Sequence, residues 1–260
     1  MNENVYQHFR RDEHPFIDFV NSWIERVETQ YTPYLSDFLD PRQIFIVESL
    51  VGQNLELKLS FYGGYEAAER KRALIYPEYY EPSQEDFDIR YFEIQYPSKF
   101  AELSHGKVLG SLLGTGMKRD YFGDIITDGE HWQVMLCDHT TNYITGQLDK
   151  IGKVSVRLEE INYTQLIHPK DEWALETATL SSLRLDNLIA GVYNISRQRA
   201  KQLVDGKKVK LNWREETRSD FVVDLMDVIS VRGYGRIQLQ TIEGTTKKEK
   251  IRITYGVLRK

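Results

Sequence analysis

The chain is poor in the residues that build several kinds of protein. Its 260 residues contain one cysteine, Cys137, which excludes an intramolecular disulfide and any zinc cluster built on several thiolates. That usage predicts a reducing compartment, the cytoplasm. No run approaches the ~18 consecutive apolar residues of a membrane-spanning helix. The opening MNENVYQHFRRDEHPF has no apolar core of the kind an export signal needs, so neither a membrane nor secretion is expected. A Walker A loop is absent, and Gly114-Thr115-Gly116 lacks the strand-turn-helix context of a dinucleotide or methyl-donor site. The histidines show no HExxH or comparable ligand spacing. No metal and no cofactor is therefore expected. A composition of 41% hydrophobic and 28% charged residues describes a globular chain rather than a disordered or fibrous one.

What is present is a charge asymmetry hidden in a net charge of −5. Residues 1–180 hold 17 Lys+Arg against 30 Asp+Glu, a net −13, and residues 181–260 hold 17 against 9, a net +8. A basic module thus follows an acidic carrier. Such a segment attracts polyanions, nucleic acid first among them, or else docks on the acidic part of its own chain.

Along the chain, apolar residues from Phe16 to Val27 recur at helical steps within a region, His8 to Val51, that reads as helical with Pro33 and Pro41 as punctuation. The alternating stretch Leu55 to Phe61 predicts a strand, closed by Gly63-Gly64, and a short helix is expected over Tyr65 to Arg72. Pro77, Pro82 and Glu85-Asp86 mark a boundary. From Ile89 to Leu158 the pattern is strand, helix, strand, strand, helix, strand, the order of a ferredoxin-like (RRM-like) domain in which two helices cover one face of an antiparallel sheet. Its last strand is expected over Lys153 to Leu158. A further strand and linker lead to Leu180. Beyond it, Leu185, Leu188, Ile189 and Val192 form an amphipathic helical stripe. Ser196 is set to cap a second helix with the apolar face Ala200, Leu203, Val204 and the stop signal Gly206. Strands follow over Val209 to Leu211, Phe221 to Val223, Asp227 to Val231, Gly235 to Thr241 and Ile251 to Leu258. The expectation is an α+β protein in three parts: an N-terminal α/β region, 1–84, a ferredoxin-like middle domain, 85–165, and a C-terminal module, 181–260.

On the second helix of that module Arg197 and Lys201 stand four residues apart on one flank of the buried stripe. The helix start leaves amides for a phosphate, and Lys207, Lys208 and Lys210 extend the positive surface toward Asn212 and Trp213. The run SLRLDNLIAGVYNISRQRAKQLVDGKKVKLNW, with the later DVISVRGYGR, resembles the alpha-L RNA-binding module first named from ribosomal protein S4. The matching residues are Arg184-Leu185-Asp186, Ser196-Arg197, Ala200, Leu203-Val204, Gly206, Val209 and Asn212, and the chain has Met226-Asp227 where the module usually has Gly-Asp. The contacts expected with phosphate and ribose are Arg184, Arg197, Lys201, Lys207, Lys208 and Lys210, with Asn212 hydrogen-bonding nearby. These orient a folded RNA rather than read its sequence.

The stretches HFRRDEHPFIDF, DFLDP, FYGGYEAAERKR and GSLLGTGMKRDYFGDI, together with the module, resemble the YlmH family over nearly the whole chain; His105-Gly106-Lys107 departs from the His-Arg-Asp expected there. The resemblance implies a cytoplasmic RNA-binding protein encoded near cell-division genes. Its implied partners are rRNA and tRNA, on the large ribosomal subunit carrying peptidyl-tRNA in ribosome-associated quality control.

Two readings stand for Gly63-Gly64 with Arg70, Lys71 and Arg72, and for Lys118-Arg119: a second RNA contact, or a turn with a solvated charged face. A pseudouridine synthase-like enzyme is the catalytic alternative, because such enzymes carry the same module. Gly146-Gln147-Leu148-Asp149, however, lacks the arginine before the leucine, and no companion motif follows. Asp138-His139 and Cys137 are expected to be structural. The third alternative is a division-site adaptor whose protein partner meets the acidic N-terminal two-thirds.

Overall fold

The computed structural model describes residues 6–52, 54, 56–168, 173–246 and 249–259. Leu55, where the first predicted strand begins, and residues 169–172 of the predicted linker lie outside them. The chain divides into two compact units, Met1–Lys170 and Asp171–Lys260.

The first unit opens with α1 (His14–Gln30), which has a proline in its first turn and buries Ile17, Val20 and Val27. Pro33 and Pro41 do more than punctuate a helix: the seven residues between them have no room for a stable one, and the first six form β1 (Tyr34–Leu39). Asp40 then starts α2 (Pro41–Val51) with a reciprocal cap, accepting from the Gln43 amide at 2.8 Å while its own amide donates to Gln43 Oε1 at 2.9 Å. The DFLDP stretch is therefore a strand end and a helix start. β2 (Leu57–Tyr62) and β3 (Lys71–Pro77) complete an antiparallel sheet in the order β1-β3-β2.

The helix expected over Tyr65 to Arg72 does not form, and Lys71 and Arg72 already belong to β3. A distant carboxylate overrides the local helix preference of that segment. Asp124 accepts from Tyr65 Oη at 2.8 Å, the Glu69 amide at 2.7 Å and the Arg70 amide at 3.1 Å.

The same unit continues with β4 (Ile89–Gln95), α3 (His105–Gly114), β5 (Phe122–Thr127), β6 (Trp132–Cys137), α4 (Thr141–Gln147), a small hairpin of β7 (Lys150–Ile151) and β8 (Val154–Ser155), and β9 (Arg157–Ile161). The sheet order β5-β6-β4-β9, antiparallel throughout, is the ferredoxin-like one. The last predicted strand is split, since Val154–Ser155 turns back onto Lys150–Ile151 and only Arg157 onward joins the sheet. Val108 and Leu112 of α3, Ile144 of α4 and Leu148 just after it pack on Phe92, Ile94, Val134 and Leu136. The other face is closed as well: Ile126, Met135 and Cys137 are buried with Phe38, and Tyr65, Leu166 and Ile167 pack against them. Every residue of β6 is buried, as in a strand covered on both sides.

In the second unit, β10 (Ala174–Leu180), α5 (Leu185–Tyr193), α6 (Arg197–Asp205), β11 (Val209–Leu211), β12 (Arg214–Glu215), β13 (Val228–Val231), β14 (Gly235–Thr245) and β15 (Ile251–Arg259) follow in order. The sheet runs β10-β15-β14-β13-β11-β12, and β10 pairs with β15 along its whole length. Leu185, Leu188, Ile189 and Val192 of α5 and Ala200, Leu203 and Val204 of α6 bury themselves with Ile229, Ile237, Leu239 and Ile253 of the sheet. Phe221 to Val223 is not the predicted strand; it makes an isolated bridge between Val222 and Arg184. Its polar groups serve α5 instead. The carbonyls of Phe221 and Ser219 accept from the Leu185 and Asp186 amides at 2.8 and 3.0 Å, which otherwise have no partner in the first turn.

Candidate nucleic-acid interface

The α5–α6 pair fixes the cations of the second unit. α5 ends at Asn194 in a left-handed conformation, and Ser196 caps α6 by accepting from the Arg199 amide at 3.1 Å. The Lys207 and Lys208 amides close the other end of α6 on the carbonyls of Val204 and Leu203. With Ala200, Leu203 and Val204 turned inward, Arg197, Arg199, Lys201, Lys207, Lys208 and Lys210 are all exposed. Five of the predicted contacts, Arg197, Lys201, Lys207, Lys208 and Lys210, therefore lie on one helix, the turn that ends it and the strand that follows. Lys207 Nζ sits 3.2 Å from Glu215, an exposed pair worth about 0–1 kcal/mol that water or a phosphate can open.

Arg184 and Arg197 are held by a shared acid. Asp186, only 3% exposed, accepts from Arg184 Nε and Nη2 at 3.2 Å each, and from Arg197 Nε and Nη2 at 3.0 and 3.5 Å. Burial alone would push its carboxyl upward, but the hydrogen bonds from the two guanidiniums outweigh burial and hold it below the usual carboxylate range. Both arginines remain open to water, with side chains 37% and 53% exposed. Each spends one edge of its fork on Asp186 and keeps its other donors for a second acceptor. The arrangement fixes two guanidiniums, thirteen positions apart in sequence, on one carboxylate. In the sequence Asp186, between Leu185 and Asn187, shows only as an acid in a basic module, and its place between two arginines was the available signal.

Asn212 is not available in the way the sequence predicts. Its Nδ2 donates to Asp227 Oδ1 at 2.7 Å and its Oδ1 accepts from the Val228 amide at 2.8 Å, so both ends of the amide are spent inside the fold. Asp227, fully buried, also accepts from the Asp224 amide at 2.9 Å. The residue before it, Met226, stands at φ +63° with its amide donating to the Leu239 carbonyl. This is the position where the module usually has glycine. Met226→Gly is expected to raise stability by about 1 kcal/mol by removing the left-handed penalty, seen as a higher thermal midpoint with RNA affinity unchanged.

The predicted second contact is corrected by burial. Arg70 is 3% and Arg72 4% exposed. Arg70 donates to the carbonyls of Phe122 and Phe38 at 3.2 and 2.8 Å, and Arg72 to those of Ser36, Phe87 and Asp88 at 2.8 to 3.0 Å. Arg119 bonds the Phe122 and Gly123 carbonyls, and burial, with the Arg70 charge nearby, pushes its guanidinium down to about 9, still protonated at neutral pH. These three arginines brace the first unit from inside. Gly63 and Gly64 are buried, and a Cβ on Gly63 would stand 2.3 Å from the Arg70 carbonyl oxygen. The glycines therefore permit a close backbone approach. No helix begins after the glycines to offer its first amides to a phosphate, and the Glu69 and Arg70 amides further on serve Asp124. Lys71 is half-buried, and Lys118 alone of this group is exposed.

Over β6 the face of the middle sheet away from its helices is covered, with Met135 and Cys137 buried against Phe38, so that part of the sheet offers no RRM-like platform. Burial pushes the Cys137 thiol up to about 12, the state of a packed rather than a nucleophilic sulfur. Asp138 accepts from Arg90 Nε at 2.6 Å while His139 packs edge-on against Tyr121. No helix among the described residues is long and apolar enough to cross a membrane.

Comparison with known proteins gives three successive family matches: "YlmH, N-terminal" over residues 12–80, "Putative RNA-binding domain in YlmH" over residues 82–165, and "S4 domain" over residues 183–229. The chain is 41% identical over 252 residues to the "Ribosome-associated protein quality control protein P2" of Bacillus subtilis (strain 168), covering 97% of this chain and 98% of that one. Among solved structures it is similar to "Cell division protein ylmH from Streptococcus pneumoniae", with 34% identity, a TM-score of 0.56, and coverage of 63% of this chain and 99% of that one.

Proposed function

This chain belongs to the YlmH family, and from that premise we propose that it binds structured ribosomal and transfer RNA without catalysing a reaction, acting on the large ribosomal subunit that carries peptidyl-tRNA in ribosome-associated quality control. Three parts share the work: 1–84, 85–165 and 181–260. The observation that carries the reading is the Arg184–Asp186–Arg197 clamp beside the exposed Lys201, Lys208 and Lys210. Fixed bidentate forks suit a phosphate better than mobile lysines do, and the lysines supply the diffuse attraction that a ribose-phosphate backbone rewards. The name of the Bacillus subtilis relative supports the quality-control setting.

About six phosphate contacts imply a steep salt response. Affinity for purified large subunits is expected to fall by on the order of three decades between about 50 and 200 mM salt. A titration at several salt concentrations checks this, and a flat response contradicts it. A protein partner for the acidic first unit is a second reading, favoured by the exposed Phe19, Tyr31 and Tyr79 and by the cell-division name of the Streptococcus pneumoniae relative.

A further inference from the structure

The pairing of β11 with β13 sets like charges against each other. Val209 pairs with Val231, Lys210 with Ser230 and Leu211 with Ile229. The ladder runs one step further, because the Arg232 amide donates to the Lys208 carbonyl at 2.8 Å, and this places Lys208 opposite Arg232. Val209, Leu211, Ile229 and Val231 are buried with the apolar residues of α5 and α6. By strand alternation Lys208, Lys210, Ser230 and Arg232 therefore belong to the other face of the sheet, and the three cations among them are exposed. Directly opposite residues in such a pair stand about 5 Å apart at Cβ, and diagonal ones roughly 7–8 Å. The three charged heads can thus close on one phosphate.

The nearby acid does not neutralise them. Glu215, opposite Lys210 on β12, makes its ion pair with Lys207 at 3.2 Å. Among the described residues no carboxylate comes within ion-pair reach of Lys208, Lys210 or Arg232. Arg236, opposite Ser230, continues the same face and lies over the Trp173 ring at 5.0 Å. Like charges directly opposite each other destabilise a sheet, and an anion bridging the two turns that repulsion into attraction.

We propose that Lys208, Lys210 and Arg232 together hold one backbone phosphate of the bound RNA, on the sheet face away from α5 and α6. The proposal rests on the reading that the C-terminal module binds RNA. It gives a role to Arg232, in the loop between β13 and β14, and extends the contact surface beyond the two helices.

The test uses the full chain and purified ribosomal RNA of the large subunit, with affinity measured over a range of salt concentrations and the thermal midpoint of each free variant recorded. Arg232→Ala is expected to weaken binding about tenfold at near-physiological salt and to reduce the slope of log affinity against log salt by about one. Arg232→Glu sets an acid opposite Lys208 and is expected to weaken binding about a hundredfold. Its free midpoint rises by about 2 °C at low salt and returns toward wild type as salt screens the new pair. A residue that serves only the fold would move affinity and midpoint down together. Lys208→Ala/Arg232→Ala is expected to lose less affinity than the product of the two single losses, because both side chains act on one phosphate. Wild-type affinity and slope in Arg232→Ala, a lowered midpoint in Arg232→Glu, or losses that multiply in the double variant overturn the shared phosphate site while leaving the RNA reading in place. A wild-type chain that binds this RNA at no salt concentration overturns both.

Discussion

An Arg184→Ala/Arg197→Ala variant is expected to bind ribosomal RNA on the order of a hundredfold more weakly than wild type at near-physiological salt, the loss of two charge-assisted contacts. It is also expected to unfold more easily. The two guanidiniums hydrogen-bond a carboxylate whose side chain is only 4% exposed. Removing both leaves a buried charge without compensation, at a cost of about 2–3 kcal/mol once allowance is made for the water that already reaches the arginines. Stability and binding can be separated by adding Asp186→Asn, which removes the stranded charge. The triple variant should regain most of the lost stability and none of the lost affinity. Chemical denaturation and RNA-binding titrations on the same preparations check both halves. Recovery of affinity in the triple variant would mean that the double variant failed only because it was less well folded.

Arg72→Ala is expected to have the opposite profile. Its guanidinium bonds three carbonyls, of Ser36, Phe87 and Asp88, from inside the first unit. Truncation strands these acceptors and leaves a cavity, a loss on the order of 4 kcal/mol. Folded protein that survives should bind RNA as tightly as wild type. Both readings of the sequence put Arg72 on a charged surface, where its loss changes stability little, and the RNA-contact reading adds weaker binding. Thermal denaturation followed by a binding titration below the new midpoint distinguishes the two.

That reversal shows where the sequence is legible and where it is not. The helices of the second unit are written in local terms: a stripe at helical spacing from Leu185 to Val192, a Ser196 cap and a Gly206 stop, each in place. The middle sheet is likewise legible, since Ile89–Gln95, Phe122–Thr127 and Trp132–Cys137 are apolar runs separated by turn chemistry. Failures come where a distant group decides. The segment Tyr65 to Arg70 contains good helix formers, yet Asp124, more than fifty positions away, captures its amides. β1 was hidden because its six residues look like an interruption until β3 is known to pair with them. Asp186 was hidden for an electrostatic reason: in a charge count an acid only subtracts, whereas in space it fixes the two cations that matter. Cations turned inward and an acid that orders its neighbours are invisible to any summation along the chain.

The central claim is that the α5–α6 surface of the second unit grips a ribose-phosphate backbone on the ribosome. Its most direct test is gradient co-sedimentation with purified large subunits, wild type beside the stable Arg184→Ala/Arg197→Ala/Asp186→Asn variant. Wild type travelling with the subunits and the variant remaining at the top of the gradient is the predicted result. A folded variant that still travels with the large subunits would contradict it.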